Sequence, residues 1–372
     1  FACVSAPFGT SLGGSATYIL GNYSKTLMYA FLLIAAIRGS ADLFTFVWAY
    51  VIGSGMLVWL AFFVFGLSET NRGTLERLGN LYSFDANDIG LVLVVGLALA
   101  LLAFQTSGRL GKIAAGIVIV GIGATIARSG SRGAFVGLMA FGLALLAMLR
   151  TVPVGKRLAF VAITATGLAV AAPSGYWQQM GTIMSPTSDY NWDSQEGRRQ
   201  VAIRGMGYMM AHPVFGLGIG NFWRAECYIS DKAVNAAPDQ GIRCTSSHNS
   251  YLQAGAELGI PGLILWSSLV WGGCIAMARL RRRLPRAWAK GTTEQRFLYL
   301  ATMYLTVALV AFAVTALFVA FAWLDIIYIL AAFMAGLYVC VWRLLPRPTG
   351  PQRRALIRGR GRPVPQGVPR LP

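Results

Sequence analysis

The chain has 372 residues, 56% of them hydrophobic and only 12% charged, with a formal net charge of +18. That composition excludes an ordinary soluble domain, because apolar runs of about 20 residues, the length that crosses a bilayer, recur along it. A basic excess is shared with nucleic-acid binders, but here its distribution follows membrane topology and anionic lipid, and no nucleic-acid partner is expected.

In chain order, helical spans are expected over 23–38, 42–67, 88–106, 112–128, 133–149, 158–173, 261–278, 297–321 and 324–342. Helices are expected because lipid offers the backbone no partners outside the segment, and the alternating pattern of barrel strands is missing. The fold class is therefore an all-α polytopic membrane protein. It divides into N-terminal transmembrane helices (1–172), a long partly helical loop (173–260), C-terminal transmembrane helices (261–342) and a basic, Pro/Gly/Arg-rich tail expected to be disordered (343–372). The first residue is Phe1 rather than Met, so the sequence reads as one lacking its natural beginning.

Charge sets the orientation. With alternating spans, Arg38, Arg109, Lys112, Arg150, Lys156, Arg157, the bases of RLRRRLPRAWAKGTTEQR and those of the tail fall on one side, against Asp42 and Glu294. The opposite side is close to neutral, so the positive side is read as the inner one. The outer face then holds Ser68 to Asn87, a tight turn from Arg128 to Arg132, and the segment from Pro173 to Gly259. Loops of that length are functional or disordered; Trp, Tyr and Met at intervals favour a folded one. Within it lie Cys227 and Cys244, which an oxidising compartment would allow to bridge. The alternative is two unrelated thiols.

Four stretches of the outer face carry candidate chemistry. In ARSGSRGAFVGL, Arg128 and Arg132 sit on a tight turn whose Gly130 and Gly133 permit close backbone approach. Arginine's forked donors suit phosphate or diphosphate there, and the competing reading is snorkelling at the interface. In GRRQVAIRGMGYMMAHPVFGLGIGNF an amphipathic helix is expected, with Val201, Met206, Met209 and Met210 as buried candidates. Arg198 and Arg204 lie about 120° apart on it, so one of the two faces the site, with Arg198 preferred. His212 before Pro213 reads as the end of that helix. GLGIGN lacks the strand and the GK[ST] of a nucleotide loop and reads as a backbone turn against the bundle or a sugar-lined cleft.

The fourth stretch is SSHNSYLQAGAELGIPG. Ser246, Ser247 or Asn249 can cap a helix starting near Tyr251, Gly259 can end it, and Pro261 suits the first turn of the next span. His248 then stands at a helix N-terminus, placed to take a proton or to contact an anion, with a purely structural histidine as the alternative. Asn249 could orient it or hold a sugar hydroxyl. Asp85 and Asp88 make a weak metal pair, and a helix cap from Asn87 or Asp88 is the default reading. Glu257 lies on the far side of its helix from His248 and is not paired with it.

SGSRGAFVG, GRRQVAIRGMGYMMAHPVFGLGIGNF and SHNSYLQAGAELGIPGL, in that order, resemble the superfamily of bacterial O-antigen ligases and Wzy-type O-antigen or exopolysaccharide polymerases. The resemblance implies a GT-C-like helix bundle in the bacterial inner membrane with its site facing the periplasm. It also implies a glycosyltransferase working without cofactor or metal, on a glycan carried by undecaprenyl diphosphate. Arg132, Arg198 and His248 fall on the family's working residues, while Arg128, Asn249 and Arg204 are expected to help bind substrate. A ligase would transfer to lipid A core or a similar acceptor, a polymerase to a second lipid-linked glycan. A lipid-linked glycan transporter or a structural membrane subunit competes, but spans almost free of charge favour an enzyme.

Overall fold

The computed structural model describes residues 1–65, 67–69, 76–78, 84–149, 153–172, 175–185, 187, 194–235, 242 and 244–345. Two short helices, α1 (Ala2–Ser5) and α2 (Leu12–Tyr18), lead through a π-helical turn at Ile19–Tyr23 into α3 (Ser24–Ala36). Next come α4 (Ser40–Phe63), an antiparallel ribbon of β1 (Leu67–Glu69) and β2 (Glu76–Leu78), α5 (Ala86–Thr106), α6 (Arg109–Ser129), α7 (Arg132–Met148) and α8 (Val154–Ala171). The long loop carries α9 (Tyr176–Gly181), α10 (Arg198–Ala211), α11 (Phe222–Tyr228) and α12 (Asp231–Val234). The chain then returns through α13 (Ser250–Arg283), α14 (Thr293–Thr315) and α15 (Asp325–Leu344).

Among the described residues, seven stretches are long and apolar enough to cross a bilayer: Leu12–Ala36, Ser40–Phe63, Ala86–Thr106, Arg109–Ser129, Ser250–Arg283, Thr293–Thr315 and Asp325–Leu344. The apolar α7 is shorter. The protein is a multi-pass helical membrane protein. Helices α5 and α14 form its centre and are buried along most of their length, packed on each other and on α4, α6, α7 and α13. Small residues permit this close packing, as is usual between helices in lipid. Gly90 abuts Ala134, Gly96 abuts Ser54 and Gly137 abuts Thr315, each too tightly for a side chain to be added.

Some expected ends move. The span expected over 42–67 stops at Phe63, and the one expected over 297–321 stops at Thr315. Hydropathy continues unbroken through 316–324, but these residues form a buried turn instead of helix. Its polar groups are satisfied from neighbouring helices: Ser250 N–H donates to Ala316 O (2.8 Å), Ser250 Oγ donates to Val319 O (2.8 Å), and Trp266 Nε1 donates to Ala322 O (2.9 Å). In return, Phe321 N–H donates to Ser250 Oγ and Ala322 N–H to Gln253 Oε1. Irregular backbone at membrane depth is tolerated where protein supplies its partners.

The bundle has two ends. At one, Arg343 donates to the carbonyl of Arg38, Ser40 to Glu294, and Trp48 to Ser107. The basic helix termini and connectors gather there; the tail from 346 onward lies outside the described residues. The other end holds the starts of α5, α13 and α15, the end of α14, the α6–α7 turn and the described parts of the long loop.

Candidate functional site

The α6–α7 turn is built by its short polar residues. Gly130 closes α6 in the left-handed region at φ 57°, which a side chain would disfavour. Ser131 caps α7 by accepting from Ala134 N–H and donates its own hydroxyl to Asn87 Oδ1 at 2.7 Å, linking the turn to the start of α5. Asp85 caps α5, with Asp88 as the reciprocal member of the capping box, so a helix cap is found as expected but the capping residue is Asp85 rather than Asn87 or Asp88. Among the described residues, no group of three or more His, Cys, Asp or Glu could hold a metal ion.

The turn separates its two arginines. Arg132 opens α7 and donates from Nη1 to Thr182 Oγ1 at 2.9 Å, beside α9. Arg128 turns the other way, with its guanidinium carbon 4.4 Å from the ring centre of Phe62 on α4 and its Nε buried without a hydrogen bond. The two expected anion-binding arginines of this turn therefore do not converge.

Helix α10 separates its arginines as well. Val201, Gly205 and Met209 are buried, with Gly205 close against Leu252 and Phe222. Arg198 lies on this same packed arc, and its guanidinium carbon stands 6.0 Å from the ring centre of Phe318. Arg204, expected to bind substrate, is instead engaged in a 2.6 Å ion pair with the fully buried Glu226, which also accepts from Tyr208 and Thr245 and pairs with Lys232. Burial alone would push the Glu226 carboxyl up. The bonds and charges of Arg204, Thr245 and Lys232 outweigh it and hold the group below the usual carboxylate range. Met206 and Met210, expected inside, are exposed: the helix has apolar residues on two faces, and periodicity does not say which face packs.

The glycine-rich turn packs on the bundle. Gly216, Gly218 and Gly220 all have positive φ, and a side chain at Gly216 would collide with the backbone of Glu257. Leu217 N–H donates to Ala256 O, and Glu257 accepts from Gly220 N–H (2.7 Å), Phe222 N–H (3.1 Å) and Trp323 Nε1 (2.6 Å). The sequence reading missed Glu257 and Phe318. A carboxylate beside an apolar span was a signal for the first, whereas nothing in the sequence separated Phe318 from the lipid-facing aromatics.

His248 stands at the start of α13, with φ 45°, and among the described residues it is the only non-glycine at positive φ. Such a conformation persists only where its surroundings impose it. Asn249 caps α13, its Oδ1 accepting from Tyr251 and Leu252 N–H, so that oxygen is occupied by the helix rather than open to a sugar. Ser246 Oγ lies 3.3 Å from His248 Nε2. Cys227 and Cys244 form a disulfide, Cα–Cα 4.9 Å, which ties α11 to the strand of chain entering His248. His212 follows the last residue of α10, as expected of a helix-ending residue. Gly259, at φ 68°, breaks α13 where the short helix and the following span were expected to meet, with Pro261 in the next turn.

Arg132, Arg198 and His248 each border the 316–324 turn, directly or through a neighbouring residue. Phe318 touches the position of Gly133, next to Arg132, so closely that an added Cβ would lie 2.6 Å from its own. The same ring receives Arg198, and Ser250, two residues from His248, holds the turn by three hydrogen bonds. Two cations and a helix N-terminus facing one end of the bundle form a polar site suited to anions.

These features define a multi-pass membrane protein with a cationic site at one end of its helix bundle. Residues 117–267 match the family model Wzy_C, O-antigen ligase, and the chain carries this domain of the O-antigen ligase and Wzy-type family. Arg132, Arg198 and His248 all fall within the match; Phe318 and Trp323 lie beyond it. No curated protein matches the chain. The family's members are glycosyltransferase-like enzymes, ligases and polymerases, and the match supports a function of that broad type.

Proposed function

We propose that this protein moves a glycan from undecaprenyl diphosphate to an acceptor hydroxyl at the periplasmic face of the bacterial inner membrane, as an O-antigen ligase acting on lipid A core or a similar acceptor. The observation that carries this reading is the contact of Arg198 and of Gly133, the neighbour of Arg132, with Phe318, on a turn held by Ser250 two residues from His248. The bridged Cys227–Cys244 supports an oxidising outer compartment, and the basic opposite end supports a cytoplasmic one.

In this mechanism the acceptor oxygen attacks the anomeric carbon of the donor glycan, and the bond from that carbon to the diphosphate oxygen breaks. The diphosphate leaves on its lipid with one more negative charge, which the guanidiniums of Arg132 and Arg198 stabilise as it develops. His248 takes the acceptor proton or donates to a phosphate oxygen. Because the leaving group is already activated, the reaction needs neither nucleotide nor metal.

The test is a reconstituted assay with undecaprenyl-diphosphate glycan, run with and without lipid A core, with products resolved by size. Single transfer that requires the core supports the ligase reading. A ladder of lengthening chains without added acceptor overturns it in favour of a Wzy-type polymerase. Protected movement of intact donor across the bilayer, with no new glycosidic bond, overturns both in favour of transport.

A further inference from the structure

Helix α10 has one apolar face more than its packing uses. Its buried arc, Val201, Gly205 and Met209, lies against α13 and Phe222. About 140° round the helix stands a second arc, Ile203, Met206 and Met210, confined to about 60° at 100° per residue. These three side chains are 53%, 47% and 58% exposed. Polar loops that face water do not maintain such a stripe, and a continuous exposed apolar patch marks an interaction surface.

The position of this stripe identifies its occupant. At the end of α10, Pro213 O accepts from Ile260 N–H at 2.8 Å, and Gly259 admits Val214 too closely for any side chain. Val214 is exposed, and so are Ile260, Ile264 and Leu265 on the first turns of the membrane-spanning part of α13. The C-terminal end of the stripe thus stands beside the exposed apolar start of a membrane-spanning segment. Arg199 falls within the same arc at the opposite end, where a guanidinium can reach phosphate headgroups. A helix of 14 residues, about 21 Å long, with an apolar arc and basic residues near one end fits the interfacial plane of a bilayer.

We infer that α10 is an interfacial helix whose Ile203–Met206–Met210 face is immersed in the membrane surface. The immersed helix sets the height of Arg198 relative to the lipid phosphates, because Arg198 lies on the packed arc of the same rigid element. The inference does not depend on which reaction the site performs.

The experiment uses the full chain with Cys3→Ser, since Cys227 and Cys244 are bridged and Cys274 and Cys340 are buried. Single nitroxide labels are placed at Ile203→Cys, Met206→Cys, Met210→Cys and, as a control on exposed α12, Asp231→Cys. The protein is reconstituted in vesicles of phosphatidylcholine and phosphatidylglycerol, and relaxation by oxygen is compared with relaxation by a water-soluble nickel chelate. The α10 labels are expected to favour oxygen over nickel at least several-fold, and Asp231 the reverse. Nickel access at all three α10 positions overturns the inference by placing the face in water. Exclusion of both reagents, relieved on dilution into excess lipid, overturns it in favour of a second copy of the chain.

Discussion

Glu257 accepts a 2.6 Å hydrogen bond from the indole of Trp323, and both side chains are buried. Through the same carboxylate, which also accepts from Gly220 and Phe222, three segments distant in sequence are held together: the glycine-rich turn, the start of α13 and the 316–324 turn that carries Phe318. The cationic site rests on this junction.

Replacing Glu257 tests that arrangement. Glu257→Ala strands two backbone N–H groups and one indole N–H away from water, at roughly 1–3 kcal/mol each. A fall in the thermal midpoint of the purified protein is expected, together with loss of product. Glu257→Gln keeps an acceptor for Gly220 and Trp323 but turns an amide N–H₂ toward Phe222 N–H, so it should fall between Ala and wild type. A Gln variant as unstable as Ala would mean that the charge, not the acceptor geometry, holds the junction.

Gly133 provides the second test. A methyl there would stand 2.6 Å from Phe318 Cβ and 3.0 Å from its Cγ. Gly133→Ala must push the ring that receives Arg198, an overpacking cost of about 1–3 kcal/mol. Turnover should fall at least tenfold while the protein still inserts and keeps its Cys227–Cys244 bridge. Unchanged turnover in Gly133→Ala would mean that the ring contact is not what limits the site.

Acid should weaken the loop through Glu226. Its folded pKa lies below the usual carboxylate value, so the ionised group contributes stability that is fully present above that value and is lost as pH falls through the lowered one. Thermal midpoints measured from neutral to acid pH should therefore drop most steeply just below the ordinary carboxylate range. Glu226→Gln should flatten that portion of the curve. Glu226→Ala leaves the half-buried Arg204 and Lys232 without their carboxylate, a loss of up to about 3–5 kcal/mol at neutral pH.

The spans were legible because lipid demands long apolar helices, and the polarity of the bundle was legible because basic connectors gather at one end. Arg132, Arg198 and His248 stand out in the sequence as polar residues between apolar segments, and the wheel geometry of α10 correctly separated Arg198 from Arg204. Side-chain commitments were less visible. Nothing in the sequence pairs Arg204 with Glu226, turns Arg128 onto Phe62, or occupies Asn249 Oδ1 with a cap, since each depends on which distant residue arrives. The 316–324 turn was read as membrane helix because hydropathy measures apolarity, not hydrogen bonding, and its bonds come from Ser250, Gln253 and Trp266. For the same reason Met206 and Met210 were assigned to the wrong face: a helix apolar on two sides carries no single period to read.

The arginines themselves should separate by position. Arg132→Ala and Arg198→Ala remove the two guanidiniums proposed to stabilise the leaving diphosphate, and loss of one such donor typically costs roughly 10²–10³ in kcat. Arg132→Lys keeps the charge but not the fork, so it should recover only part of that loss. Arg128→Ala removes a cation stacked on Phe62, and its effect on turnover should be several-fold at most. His248→Ala should abolish product, with the bridge from Cys227 to Cys244 intact as evidence that the loop still folds. His248→Gly relieves the backbone at φ 45° while deleting the imidazole, so equal inactivity in Ala and Gly variants assigns the loss to the ring rather than to strain. The unsubstituted protein treated with a chelator should turn over unchanged. A loss restored by magnesium would direct attention to Asp85 and Asp88, whose carboxylates cap α5 beside the Ser131 turn.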